Sequence, residues 1–186
     1  YQRRFQELKD FIVRFNKDYH QNIQIVEQPY EPTIFMADIS LENKTVLVTG
    51  AAGFIGSFLS KRLLETYKGI TVIGIDSITD YYDTSLKDER LSMLNSCGGK
   101  FTFIKGDIAD KETLVSVFEK YNPDIVVNLA AQAGVRYSID NPDAYIKSNM
   151  IGFYNILECC RHHPVEHLVF ASSSSVYGTN KKVPYS

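Results

Sequence analysis

Basic blocks, long apolar runs and paired cysteines are all missing from this chain, and each absence removes a class of function. The net charge over 186 residues is −2, and pairs such as Lys181-Lys182 are too small to grip phosphates by bulk charge, so a nucleic-acid partner is not expected. No apolar run approaches the ~18 residues of a membrane span, and Tyr1-Gln2-Arg3-Arg4 leads into a mixed polar segment instead of a signal-peptide core. The expectation is a cytoplasmic protein with no membrane partner. Internal repeats and low-complexity tracts are also absent.

Cysteine is scarce as well. Cys97, Cys159 and Cys160 are odd in number and lack CxxC spacing, which argues against a disulfide framework and for reduced thiols. Cys159, Cys160, His162, His163 and His167 do fall within nine positions, and these are zinc-ligand residue types. The plainer account has the two cysteines finishing an apolar helix face, the histidines at its polar end and Pro164 stopping it. No metal is expected.

What is present is an ordinary apolar share, 44%, enough for one domain with a real core. From Lys44 onward short β-branched runs alternate with longer helical patterns, a rhythm that builds a parallel sheet. Strands are expected at about 44 to 50, 70 to 76, 101 to 105, 124 to 130 and 166 to 172, with helices between them. The first two runs are almost continuously apolar, as when helices cover both faces of a sheet. Right-handed crossovers then give the order 3-2-1-4-5, a doubly wound α/β sheet whose ligand site lies at the carboxyl ends between strands 1 and 4.

Residues 1–43 stand outside that rhythm as a helical and extended extension. Phe5, Leu8, Phe11, Ile12 and Phe15 recur at helical spacing, and an extended segment follows around Pro29 and Pro32. Such a stripe docks on its own domain or contacts a partner, and both readings stay open.

The most informative stretch is Thr49 to Gly56, T-G-A-A-G-F-I-G, between the apolar run Val46-Leu47-Val48 and a helix-like stretch at Phe58 to Tyr67. A diphosphate needs bare backbone N–H groups at the positive end of a helix, and glycine lets the main chain come close enough to offer them. Gly50 is expected to make the tight turn, Gly53 to admit the pyrophosphate and Gly56 to pack the helix against the strand. Asp76 closes the second apolar run, 20 residues beyond Gly56, where an acid can bond the adenosine ribose hydroxyls. An acid there repels a 2′-phosphate, so the expected cofactor is NAD.

As a set these segments resemble the extended short-chain dehydrogenase/reductase family, the NAD-dependent epimerases and dehydratases of sugar nucleotides. Gly106-Asp107-Ile108 is similar to the family's adenine-contacting segment, and Leu129-Ala130-Ala131 to the lining of the nicotinamide ribose. Ser172-Ser173-Ser174-Ser175-Val176-Tyr177-Gly178 resembles its S-S-x-x-V-Y-G. The loops 76–83 and 130–138 look most like UDP-glucuronate 4-epimerases. The resemblance covers residues 44–186 and implies a Rossmann domain holding NAD through Gly50, Gly53, Phe54, Ile55, Gly56, Asp76, Asp107, Ile108, Leu129, Ala130 and Ala131. It implies Ser173 as the hydroxyl on the reacting oxygen, with Ser174 and Ser175 near a UDP-sugar; four consecutive serines leave that register open by one. Alternatively, such serines satisfy backbone groups at a strand end. Arg136 either helps hold an anionic sugar nucleotide or pairs with Asp140 or Asp143 at the surface.

The implied reaction inverts C4 of UDP-glucuronate by transient oxidation, in a homodimer when full-length. Other sugar-nucleotide dehydratases or decarboxylases, and a noncatalytic NAD-sensing protein, are the alternatives. The family's Tyr-x-x-x-Lys pair is not found: Tyr177 and Lys181 have the spacing, but Gly178 and Asn180 between them oppose a helix. The chain is therefore expected to be an N-terminal portion, truncated before the last strands and the C-terminal substrate domain, that binds NAD without turnover.

Overall fold

The computed structural model describes residues 40–182. Residues 1–39 of the extension expected at 1–43, with the apolar stripe read as a helix, lie outside the described residues. The chain divides into two compact units, one spanning Asp38–Ala171 and the other including Ser172–Ser186. The first carries a five-stranded parallel sheet of β1 (Thr45–Thr49), β2 (Thr71–Asp76), β3 (Lys100–Lys105), β4 (Ile125–Asn128) and β5 (His167–Phe170), in the order β3-β2-β1-β4-β5. That is the doubly wound order expected from the rhythm of the sequence.

Side-chain alternation sorts the core into two layers. Leu47, Ile73 and Val126 face α3 (Lys111–Tyr121) and α6 (Phe153–His162), packing with Leu114, Phe118, Ile156 and Cys159. Val46, Val48 and Val72 face the other way, onto Leu63 and Leu64 of α1 (Phe54–Thr66) and Leu94 of α2 (Ser85–Asn95). Strands buried on both faces need apolar residues at every position, which is why β1 and β2 show no polar alternation.

Helix α3 shows how local sequence sets a boundary. Asp110 accepts from the amides of Glu112 and Thr113, satisfying two of the orphan donors of the first turn. Leu114, Val117 and Phe118 then repeat at helical spacing and are buried, and Asn122 ends the helix at φ 41°.

Strand β5 ends at Phe170, short of the expected 172, and two further boundaries differ for reasons visible in the structure. Helix α1 starts at Phe54, not near Phe58, because the chain turns helical directly after Gly53. Strand β4 stops at Asn128 instead of running to 130, because the Leu129 and Ala130 amides bond the Thr49 hydroxyl in place of a neighbouring strand. Between β4 and β5 lie two four-residue helices, α4 (Tyr137–Asp140) and α5 (Pro142–Tyr145), and then a π-helix, Ile146–Gly152, running into α6.

The Asp110 carboxyl sits below the ordinary carboxylate range, chiefly through the Thr113 hydroxyl at 2.6 Å and then the Thr113 amide. A depressed folded value stabilises above the ordinary 3.8 and loses that contribution as pH falls through the folded value. Thermal melts at stepped pH below about 4 should therefore show a shallower acid loss for Asp110→Asn, which still caps but does not titrate. An acid slope equal to that of the unsubstituted chain would contradict this assignment.

Candidate active site

At the carboxyl ends of the strands, where the order reverses between β1 and β4, the first unit contains a cleft of about 510 Å³. Its floor is the turn from β1 into α1. Gly50 has φ +67°, and a Cβ there would lie 3.0–3.1 Å from backbone atoms of Leu129 and Ala130. A Cβ on Gly56 would meet the Gly50 carbonyl oxygen at 2.2 Å and the Ala51 Cα at 3.1 Å. The close packing expected of Gly56 is thus onto the turn itself, at the end of the strand. Gly53, the N-cap of helix α1, makes no side-chain cap bond and no acid stands in the first turn, so the chain supplies no negative group from within that turn to the positive end of the helix.

Thr49 locks this turn to β4. Its hydroxyl donates to Asn128 Oδ1 at 2.7 Å and accepts from the Leu129 and Ala130 amides at 3.1 and 3.0 Å. One donor and two acceptor positions are the whole capacity of a hydroxyl, so the buried Thr49 is fully satisfied.

Asp76, 7% exposed, stands at the end of β2 facing the same turn. Its Oδ2 accepts from the Ala52 amide at 3.1 Å, and its Oδ1 from the Ile78 amide at 2.9 Å and Lys87 Nζ at 3.2 Å. A carboxylate has about four acceptor positions, so the carboxylate that fixes the glycine turn keeps room for one more donor. Lys87 is itself 4% exposed and faces Thr79 Oγ1 at 3.5 Å. Arg90 donates to the Ala52 carbonyl at 3.3 Å and to Tyr82 Oη at 3.0 Å. Lys87 and Arg90 were not singled out by sequence reasoning. The signal was available: both sit on one face of the helix after Asp76, three residues apart.

Farther out, Asp107 and Ile108 line the cleft after β3. Asp107 Oδ1 accepts from the Ala109 amide at 2.9 Å, and Oδ2 meets Lys147 Nζ at 2.7 Å. On the β4 side the lining is Leu129, Ala130 and Ala131, continuing to Gln132 and Ala133. Asn149 fixes this arm, donating to the Gln132 carbonyl at 3.0 Å and accepting from its amide at 2.8 Å. Tyr145 donates to the Gly134 and Ala133 carbonyls. Its phenol is pushed up by desolvation and by Tyr81 beside it, so it stays a donor and not a base.

The cleft therefore brings together Gly50, Gly53, Phe54, Asp76, Asp107, Ile108, Leu129, Ala130 and Ala131. Ile55 and Gly56 are on the same helix start but do not line it. Arg136 is exposed on the loop beyond Ala133 and also does not line it; among the described residues it forms no ion pair with Asp140 or Asp143. Ser173, Ser174 and Ser175 belong to the second unit. There the Ser173 hydroxyl accepts from the Ser175 amide at 3.2 Å and caps a 3-10 turn, Ser174–Tyr177. Gly178 follows at φ +56°, and Lys181 lies beyond the turn, so Tyr177 and Lys181 share no helix.

The cysteine and histidine cluster is dispersed by the fold. Cys159 is buried in the core, and burial pushes the Cys160 thiol up to about 11. His163 packs on Phe118, and His162 stands beside Glu158. Among the described residues no group of three potential ligands converges, and no helix is long and apolar enough to cross a membrane.

A glycine-built turn at a helix start, a fixed acid at the end of β2 and a switch-point cleft define a nucleotide-binding domain of the Rossmann type. A family model described as GDP-mannose 4,6 dehydratase matches residues 47–186. Protein CapI of Staphylococcus aureus is 54% identical over 141 residues, 76% of this chain and 41% of that protein. UDP-glucuronate 4-epimerase 4 of Arabidopsis thaliana is 50% identical over 143 residues, 76% of this chain and 32% of that protein. The solved UDP-glucuronic acid 4-epimerase from Bacillus cereus, in complex with UDP-glucuronic acid and NAD, gives a TM-score of 0.65 at 33% identity, covering 74% of this chain and 43% of that one. The chain belongs to this NAD-dependent epimerase/dehydratase family. It spans about two fifths or less of the length of the curated relatives just described.

Removing the Thr49 hydroxyl with Thr49→Val should leave two amides and the Asn128 oxygen short of a partner. We expect a loss of about 2–4 kcal/mol in urea unfolding, with Thr49→Ser close to the original. Equal stability of Thr49→Val would show that the hydroxyl is not what ties the turn to β4.

Proposed function

We propose that this chain is the NAD-binding part of a sugar-nucleotide 4-epimerase that converts UDP-glucuronate to UDP-galacturonate, working as a homodimer in the whole protein. The observation that carries the reading is the Asp76 carboxylate, which fixes the glycine turn, lines the cleft and accepts from three donors, one short of its capacity. The 42–50% identity to curated proteins named UDP-glucuronate 4-epimerase supports the choice of sugar.

The residues fit the cofactor. The main chain at Gly50, Gly53, Phe54, Ile55 and Gly56 holds the diphosphate, where a Cβ on Gly53 would crowd the Gly50 carbonyl at 3.0 Å. Asp76 accepts from the adenosine ribose; a 2′-phosphate brings only acceptors, so NAD is preferred over NADP. Asp107 and Ile108 take the adenine, and Leu129, Ala130 and Ala131 the nicotinamide ribose. When bound, NAD supplies a reversible hydride acceptor for the sugar C4, whose C–H is too weakly acidic for direct proton removal. Ser173 holds the reacting hydroxyl by hydrogen bonding, and Ser174, Ser175 and Arg136 contact the UDP-sugar. A base for the C4 hydroxyl is required. Tyr177 is the one tyrosine with lysine four residues on, and its turn does not present the pair on a helix. The 186 residues alone therefore bind NAD without turning over the sugar.

Two measurements test this. Calorimetry on the chain should show NAD binding at least about tenfold tighter than NADP, and Asp76→Asn should narrow that ratio by removing the repelling charge. Equal affinities in the unsubstituted chain would contradict the role of Asp76. NMR of UDP-glucuronate incubated with the whole protein, without added NAD, should show the C4 epimer; a decarboxylated or dehydrated product would overturn the epimerase assignment.

A further inference from the structure

Resting on the dinucleotide reading of the cleft, we propose that Lys147 widens the choice of base, its ammonium on Asp107 letting the site accept a purine with a carbonyl at position 6 as well as one with an amine there.

The strand order locates the base. The diphosphate turn follows β1, the ribose acid ends β2, and the next strand outward is β3, the edge of the sheet. A nucleotide laid across these ends toward β3 puts its base on the loop Gly106–Ala109.

That loop is gripped at three places by one helical segment. Asn155 Nδ2 donates to the Ile108 and Ala109 carbonyls at 3.0 and 3.1 Å. Gly152 lies so close that a Cβ would stand 2.6 Å from Ile108 Cγ1. Lys147 Nζ reaches Asp107 Oδ2 at 2.7 Å. Lys147 and Gly152 are five residues apart, which is the i→i+5 repeat of the π-helix they occupy. In an ordinary α-helix, at 3.6 residues per turn, they would point about 140° apart and could not reach adjacent residues of one loop. The wide turn is thus the device that sets Lys147 over Asp107 while Gly152 meets Ile108.

The chemistry follows from what each group can offer. Asp107 is an acceptor only, with Oδ1 committed to the Ala109 amide. Alone it would welcome an exocyclic amine and repel a carbonyl at the same position. Lys147 adds three N–H donors, of which the ion pair uses one, beside a carboxylate that is 31% exposed. Hydrogen bonding to Asp107 holds the Lys147 ammonium above its usual value, so it remains charged at neutral pH. Donor and acceptor then stand side by side, matching a 6-oxo purine as well as adenine. A side chain 62% exposed can be exchanged without emptying the core.

The test is calorimetry on this chain with NAD and with nicotinamide hypoxanthine dinucleotide, for the unsubstituted protein, Lys147→Met and Lys147→Arg. The unsubstituted chain should bind both within about tenfold, and Lys147→Met should lose about tenfold for the hypoxanthine form but under about threefold for NAD, with Lys147→Arg restoring the first. A parallel loss for both ligands, an unchanged ratio, or no hypoxanthine binding by the unsubstituted chain would overturn the role of Lys147 while leaving the NAD reading intact. Failure of NAD itself to bind the unsubstituted chain would overturn both.

Discussion

The turn between β1 and α1 is the constraint on which the rest of the first unit is built. Its main chain folds so tightly that a single methyl group at Gly56 would overlap the Gly50 carbonyl, 2.2 Å away. That compression points the first turn of α1 at the cleft and leaves its positive end without a capping side chain. The Gly53 amide closes the turn on the Gly50 carbonyl at 3.0 Å, and the neighbouring strands anchor it from outside. Thr49 ties it to the end of β4, and Asp76 ties it through the Ala52 amide to the end of β2. Both ties come from strand ends beside the switch point, which is why site and fold cannot be separated here.

Charge in the cleft is arranged around fixed pairs. Lys87 and Asp76 form a buried pair whose desolvation is offset by the Ala52 and Ile78 amides on the same carboxylate. Lys147 and Asp107 form the second pair, at the rim, where water screens it. The buried pair fixes geometry; the exposed one leaves both side chains in reach of water. Between them the cleft carries acids that are oriented in advance, so little reorganisation is left for the moment of binding.

Much of this was legible in the sequence, for identifiable reasons. Strand order followed from apolar runs separated by helical patterns, because a parallel sheet covered on both faces forces that rhythm on Val46 through Val48 and on Ile70 through Ile75. The glycine turn and the placement of Asp76 against it were legible because close backbone approach needs glycine, and the acid stands at a set offset from that turn. Asn149 and the Thr49–Asn128 bond were not, since each depends on contacts between residues distant in the sequence, and a lone Asn or Thr carries no spacing signal. The π-helix was invisible for a different reason: Ile146–Gly152 is compatible with an ordinary helix, and only its packing against Ile108 and Asp107 distinguishes the wider turn. Arg136 and the serines 173–175 rest on family resemblance; Arg136, in the first unit, does not line the cleft there.

The central claim is that a diphosphate is held by main-chain amides at this turn. Backbone amide NMR of the uniformly nitrogen-15-labelled chain, titrated with ADP-ribose, addresses it directly. The account predicts saturable shifts that are largest for Gly53, Phe54, Ile55 and Gly56, smaller at Asp76 and Asp107, and absent along α3. Saturable binding that leaves those four amides unmoved would contradict it.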